Sequence, residues 1–459
     1  MSENNNKEAL FRSAPIPKAV LELAIPTVIG QIILVIYNMA DAFFIGLTGS
    51  DSMITAVTVC MPAFTAISAV SNLFGVGGAA AMSRYRGSSD PESASGASVF
   101  AVYGCILTAA MYSLLTRIFM DPFIRLLGGG HPQVFGYVRQ YLTRTLVLGG
   151  IPTALGTMLS HLIRSEGHSV HAAAGVALGG ILNIALDPLF MFRILPKGME
   201  VAGAATATAV SNCIAFLYFV TVILLSGKKT VIRFRPQRKA LDRAIAKEIL
   251  SSGLPACIMT LFENVSYAIL DNLLSRYGII IQAGIGVAKK VNMLAHCMVR
   301  GISQGVLPLI GYNYAAKNIK RMRAAFTFAL ALSAGLSTLW MLVSLIFPRP
   351  LISIFLGEGQ STEYGILFLR ILCLGCPLSA VAYMIISFFQ AVGSGRRSFL
   401  LAILRKGVLD IPLMFLLGAL IPIYGVVMAT PVTDGICCFA AIILVRRFLR
   451  HHHELDAAA

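Results

Sequence analysis

Two carboxylates, Asp41 and Asp187, stand inside long apolar stretches of this chain. An ionisable side chain there costs about 2.5–3.5 kcal/mol on insertion scales and usually faces a cavity or a partner. Asn183 precedes Asp187 by four residues, so the two share one face of a helix. Ala204 and Thr208 have the same spacing. Two carboxylates, an amide oxygen, a hydroxyl and a backbone carbonyl make an oxygen-only set suited to a hard cation such as Na⁺. Two close carboxylates also resist being charged together, so the same pair could hold a proton instead. The structural alternative is that Asn183 and Asp187 cap a helix broken at Pro188.

A second group carries Glu263, Asn264 and Asp271, followed by Lys289, Lys290 and Arg300. Glu263 and Asp271 are eight residues apart, about two helical turns, and lie on roughly one face. Glu263 either lines a cavity and attracts cationic substrate or pairs internally with Arg300 or Lys290. An Arg300 facing the cavity would point instead to an anionic or zwitterionic substrate. Tyr37, Met61, Phe64, Phe262, Tyr267, Met293, Tyr383 and Phe388 offer an aromatic and thioether surface that could repack around varied ligands. Each is otherwise a lipid-facing or packing residue. Cys373 and Cys376 form a C-x-x-C inside an apolar stretch, without the second pair a zinc site needs. No nucleophile–base pair stands out, so neither an enzyme nor a bound cofactor is expected.

The elements that must position these residues follow from composition. Of 459 residues, 57% are hydrophobic and 13% charged, with a mean hydropathy of +0.78. A soluble domain is nearer a quarter charged, and only a bilayer accepts this much apolar exterior. Stretches long enough to cross it, roughly 20 apolar residues each, are predicted over 17–47, 52–83, 94–120, 134–163, 169–192 and 200–226. They continue over 247–276, 281–312, 322–348, 361–391, 398–420 and 423–447. The first apolar run lacks an A-x-A site and is too long for a cleaved signal, so it should remain as an anchor.

The net charge of +16 sorts onto alternate loops rather than marking a nucleic-acid surface. One side carries Lys7, Arg12, Arg84, Arg86, Arg164, the 227–247 segment, Lys317 to Arg323, Arg396, Arg397, Arg446, Arg447 and Arg450; the other carries Arg117, Arg125, Arg193, Lys197, Arg276 and Arg349. The basic side should be cytoplasmic, and with it both termini. The expected organisation is a cytoplasmic segment 1–16, a lobe 17–226, a basic cytoplasmic linker 227–246, a second lobe 247–447 and a cytoplasmic tail 448–459. The triplet His451–His453 is left out of this reading.

The two halves repeat each other. Ala24-Ile25-Pro26 answers Gly253-Leu254-Pro255, and Asp41 and Asp271 follow those prolines by fifteen and sixteen residues. Gly149-Gly150-Ile151-Pro152 answers Leu374-Gly375-Cys376-Pro377; Asp187-Pro188 answers Asp410-Ile411-Pro412; Gly203-Ala204 answers Gly425-Val426. Parallel repeats of this kind build carriers whose halves rock about a central cavity. No G-x-x-x-x-G-K-[ST] is present, so an ion gradient rather than ATP should supply the energy.

These stretches resemble the multidrug and toxic compound extrusion (MATE) transporters, in their bacterial MepA-like branch. The resemblance rests on Val35 to Gly46, Asn72 to Gly78, Leu182 to Phe190, Gly203 to Thr208 and Gln304 to Tyr314, and it runs nearly the whole chain. It implies an all-α polytopic membrane protein, with about twelve transmembrane helices in two six-helix pseudo-symmetric lobes. It implies alternating-access export of amphipathic, often cationic, drugs in exchange for Na⁺ or H⁺, from a monomer in the inner membrane of a bacterium. It places the ion at Asp41, Asn183, Asp187, Ala204 and Thr208. The same superfamily includes lipid and oligosaccharide flippases, which with a narrow metabolite carrier are the alternatives. Some members also use an acid in the tenth span; here that span has none through Leu378, Tyr383, Ser387 and Phe388.

Overall fold

The computed structural model describes residues 8–458, without the side chains of Lys228 and 451–458; Lys7, Lys228 and the His451–His453 triplet therefore lie outside the described side chains. Among the described residues every regular element is helical. Span 1 is Ile16–Gly46, span 2 Asp51–Gly87, span 3 Pro91–Ile118, span 5 Ser169–Ile194 and span 6 Glu200–Ser226. Span 7 is Arg243–Ser275, span 8 Ile279–Ala315, span 9 Ile319–Ile346 and span 12 Tyr424–Arg450. These nine are long and apolar enough to cross a membrane as single helices.

Two further spans are bent. Span 4 is Pro132–Leu148 plus Gly150–Ser165, at 53°, and span 10 is Gln360–Leu374 plus Cys376–Ala391, at 42°. The bends fall at Gly149 and Gly375, one register apart within the Gly149–Pro152 and Leu374–Pro377 stretches that the sequence repeat pairs. Span 11 is Gly395–Ile403, a π segment Leu404–Leu409 and Asp410–Leu420. Arg405, Lys406 and Asp410 sit in its middle, yet it occupies the place the twelfth helix needs. Helix starts are fixed locally. Asp90 accepts from the Ser93 amide at 2.9 Å, and Asn318 from the Arg321 amide at 3.1 Å, each satisfying a donor that the first turn leaves open. The outward faces stay apolar, with Leu107, Leu114, Leu217 and Leu225 exposed, as lipid permits and water does not.

The halves meet along spans 1 and 8 and spans 2 and 7. Among the described residues, side-chain hydrogen bonds between them go no deeper than Asn72 to Thr260, at 2.9 Å. All others lie nearer the end that carries the basic loops. Arg84 donates to Glu248 Oε1 at 2.6 Å, Ser252 Oγ at 3.1 Å, the Gln390 carbonyl at 3.0 Å and the Ala391 carbonyl at 2.7 Å. Arg12 reaches the Tyr312 hydroxyl at 2.7 Å. The backbones touch here: a Cβ on Gly253 would fall on the Leu73 carbonyl, and one on Gly87 on the Tyr312 carbonyl. Beyond Asn72, Met61 and Met293 remain exposed. The seam is closed at the basic end.

Three features depart from the sequence reading. Arg84 and Arg164, read as loop charges, are buried, Arg84 in the seam and Arg164 beside His161 at 3.2 Å. The segment before span 1 is a plug as well as a leader: Leu10 and Phe11 are buried among spans 1, 8 and 9. The 227–241 segment lies against the first half. Thr230 Oγ1 and the Val231 amide donate to Glu166, and the Tyr103 hydroxyl donates to the Phe234 carbonyl.

Candidate functional site

Span 5 brings Asn183 and Asp187 to one buried face, because a helix returns to the same side after four residues. Span 6 faces it with Ala204 and Thr208, and span 1 supplies Asp41. Asn183 Nδ2 donates to Asp187 Oδ1 and to Thr208 Oγ1, both at 3.3 Å, and Thr208 Oγ1 donates to the Ala204 carbonyl at 3.0 Å. Asp41, Asn183, Asp187 and Thr208 are all buried. Asp41 and Asp187 lie within electrostatic range of each other and of Tyr37.

The unusual feature is what these groups lack. Asp41 Oδ1, Asn183 Oδ1 and Asp187 Oδ2 are buried acceptors without a hydrogen-bond partner. Buried polar atoms are nearly always paired, and a bare one costs about 1–3 kcal/mol, more when charged. Three such oxygens on spans 1 and 5 make an oxygen-only set whose chemistry suits a hard monovalent cation or a proton. A transition metal does not suit it: among the described residues no group of three or more His, Cys, Asp or Glu comes together. Asp187 lies within the helix that runs on through Pro188, with Asn183 bonded to it side chain to side chain; the two do not form an N-terminal cap.

The second half answers with filled sites. Glu263 pairs with Arg300 at 2.8 Å, and Asp271 pairs with Lys289; Lys290 is exposed and joins neither. The Lys406 ammonium meets Asp410 Oδ2 at 2.9 Å, and Asp410 also accepts from Ser266 at 2.6 Å and Thr430 at 3.3 Å. Arg405 pairs with Asp434 at 2.7 Å and donates to Ser379 Oγ at 2.6 Å. The guanidiniums of Arg300 and Arg405 lie 6.0 and 5.5 Å from the centroid of the Tyr383 ring. Lys289 and Lys406 each lie 5.5 Å from that of Tyr267. Such charges persist in a low-dielectric interior only because each has a partner.

Sequence reasoning missed Arg405, Lys406 and Asp434. The signal lay in the repeat: Lys406 precedes Asp410 by four residues, as Asn183 precedes Asp187. Of the aromatic and methionine set, Tyr37 lies within electrostatic range of Asp41 and Asp187, Tyr267 and Tyr383 carry the cations, and Phe262 packs against Gly407. Met61 and Met293 are exposed, and Phe64 packs on the first-half core. Phe388 stands apart from the cavity: it is fully buried, 4.5 Å from the Phe326 ring and packed on Phe389 and Phe448.

Two six-helix halves, a seam closed at one end and buried charge in each half define a membrane transporter. The MatE family model matches residues 26–189 and 255–416, once in each half. The chain belongs to the MatE family. It is 28% identical to the multidrug export protein MepA of Staphylococcus haemolyticus, over 98% of this chain and 97% of that protein. It is 26% identical to MepA of Staphylococcus aureus, over 95% and 94%. The fold matches a crystal structure of MATE in complex with MaL6 at a TM-score of 0.90, with 22% identity over 97% of this chain and 99% of that one. It matches an outward-facing multidrug resistance MATE family transporter at 0.89, with 22% identity over 97% and 98%.

Proposed function

We propose that the chain is an ion-coupled antiporter that exports amphipathic, often cationic, organic compounds from a bacterium by alternating access. It sits in the inner membrane with its basic loops and both termini cytoplasmic. The observation that carries this reading is the trio of unpaired buried oxygens on Asp41, Asn183 and Asp187. Spans 1, 5 and 6 hold those oxygens apart at a cost that an incoming Na⁺ or H⁺ removes, so loading the pocket favours a tighter packing of the three helices. Tyr37 lies within electrostatic range of the same carboxylates, which links that packing to the neighbouring cavity. Linkage is reciprocal: an ion that weakens drug binding is itself weakened by drug. Arg300 does not argue for an anionic substrate, since Glu263 meets its charge at 2.8 Å. The kinship to MepA proteins supports drugs over lipid-linked sugars as cargo.

The test is efflux of a lipophilic dye cation from proteoliposomes with Na⁺ and H⁺ gradients imposed independently, for the wild type, Asp41→Asn and Asp187→Asn. One gradient should drive wild-type export. Each variant should lose gradient-driven export while keeping dye affinity in detergent, because the amide is nearly isosteric. Normal gradient-driven export by both variants removes the pocket from the mechanism.

A further inference from the structure

We infer that the Lys406 ammonium is a tethered cation, standing in the second half at the counterpart of the first half's ion pocket. The repeat sets up the correspondence. Asp187-Pro188 answers Asp410-Ile411-Pro412, and four residues before each acid stand Asn183 and Lys406. Gly203 answers Gly425, and five residues after each glycine stand Thr208 and Thr430. The three positions come together in both halves. Asn183 bridges Asp187 and Thr208 at 3.3 Å to each; Asp410 accepts from Lys406 at 2.9 Å and from Thr430 at 3.3 Å.

The two pockets differ in what fills them. The first keeps three buried oxygens without partners, on Asp41, Asn183 and Asp187. At Asp410 no oxygen is left bare: Lys406, Ser266 and Thr430 saturate it, and Lys406 is itself buried. The acid that answers Asp41 is treated the same way, since Asp271 is paired with Lys289. Asp410 and Asp271, the counterparts of Asp187 and Asp41, thus each carry an ammonium where the first pocket's carboxylates carry none. An ammonium on a four-carbon stem supplies the charge of a monovalent cation and cannot leave. The second half is therefore held permanently in its cation-loaded packing, and ion exchange is confined to the first half, with one mobile monovalent cation per chain. This rests on the first-half pocket being the ion site.

The experiment counts exchangeable cations on the purified full chain in detergent. Bound ²²Na⁺ is measured by equilibrium dialysis in choline buffer, and proton uptake by potentiometric titration in Na⁺-free solution; the wild type identifies which ion its site takes. The expected counts of that ion are one for the wild type and for Lys406→Arg, and none for Asp187→Asn. They are two for Lys406→Asn, and one for Lys406→Asn/Asp187→Asn, now held by the second half. Lys406→Gln gives the same gain if Lys406→Asn cannot be purified folded. A cation remaining in Asp41→Asn/Asp187→Asn, where Lys406 is untouched, overturns the inference, because the second half would then hold a mobile ion. No gain in either neutral variant also overturns it. A wild type that takes none while Lys406→Asn takes one leaves the inference standing and removes the first-half reading.

Discussion

Arg84→Gln is expected to open the basic end of the seam. Arg84 leaves the first half and binds four groups of the second: Glu248, Ser252 and the Gln390 and Ala391 carbonyls. Hydrogen bonds from a charged donor contribute about 1.5–3 kcal/mol each, and a buried acceptor left bare costs about 1–3 kcal/mol. Glu248 is a quarter exposed in its side chain and returns partly to water, which lowers the cost of losing its partner below that of a fully buried pair. The glutamine amide keeps one of the remaining contacts. The net loss is then roughly 3 kcal/mol, a weakening of the closed seam by on the order of a hundredfold. Spin labels at Ser88 and Arg396, both exposed and on opposite halves, report the change in a chain whose nine cysteines have been replaced. Double electron–electron resonance should show a longer-distance population that is minor in the parent. Arg84→Lys should fall between, keeping the charge but losing the two-carbonyl grip. A folded Arg84→Gln with an unchanged distance distribution would refute this account of the seam.

Gly253→Ala should shift the same distances outward, since its Cβ falls on the Leu73 carbonyl; unchanged distances would mean the backbones yield without opening. Glu263→Gln leaves Arg300 without its carboxylate, and should alter relative affinities for cationic and anionic dyes by severalfold while ion stoichiometry holds. Loss of all gradient-driven transport would instead put Glu263 in the coupling machinery. Asp90→Ala should cost span 3 about 1 kcal/mol at neutral pH through loss of its cap. The Ser93 hydrogen bonds hold the Asp90 carboxyl below its ordinary range, so its contribution is present above the unfolded carboxylate range and fades as pH falls through the folded value. The melting difference from wild type should therefore shrink on acidification. Cysteines at Arg235 and Lys197, both exposed, should be labelled from opposite faces of oriented vesicles; labelling from one face would overturn the assigned topology.

Helix placement was legible because the bilayer writes it in composition: predicted and observed span ends agree within a few residues. The bends were not read, although they fall in the Gly-Pro stretches that marked the repeat, at Gly149 and Gly375. The meeting of Asn183, Asp187 and Thr208 could be read because isolated polar groups in apolar sequence are conspicuous. What stayed hidden was pairing. Glu263 had two candidate cationic partners, Arg300 and Lys290, and packing selects Arg300. Arg405 and Lys406 stand inside the predicted span 398–420 with no acid beside them but Asp410, and nothing local says that spans 7, 10 and 12 close over them. Phe388 reads like any other cavity aromatic until Phe326, Phe389 and Phe448 surround it.

The plug ahead of span 1 bears on how the chain is made. The Phe11 carbonyl accepts from Asn313 at 3.1 Å and from Arg321 at 2.8 Å, 302 and 310 residues downstream. At about 5–20 residues per second, a ribosome delivers those partners roughly 15–60 s after Phe11 leaves it. For that interval Leu10 and Phe11 have no seam to enter, though span 1 is already in the bilayer. Completion of the basic end is thus a late event in biogenesis, timed by span 8 and the start of span 9. Premature termination between the halves would yield a first half whose leading residues stay unburied, a signal that quality-control proteases at the membrane surface could recognise.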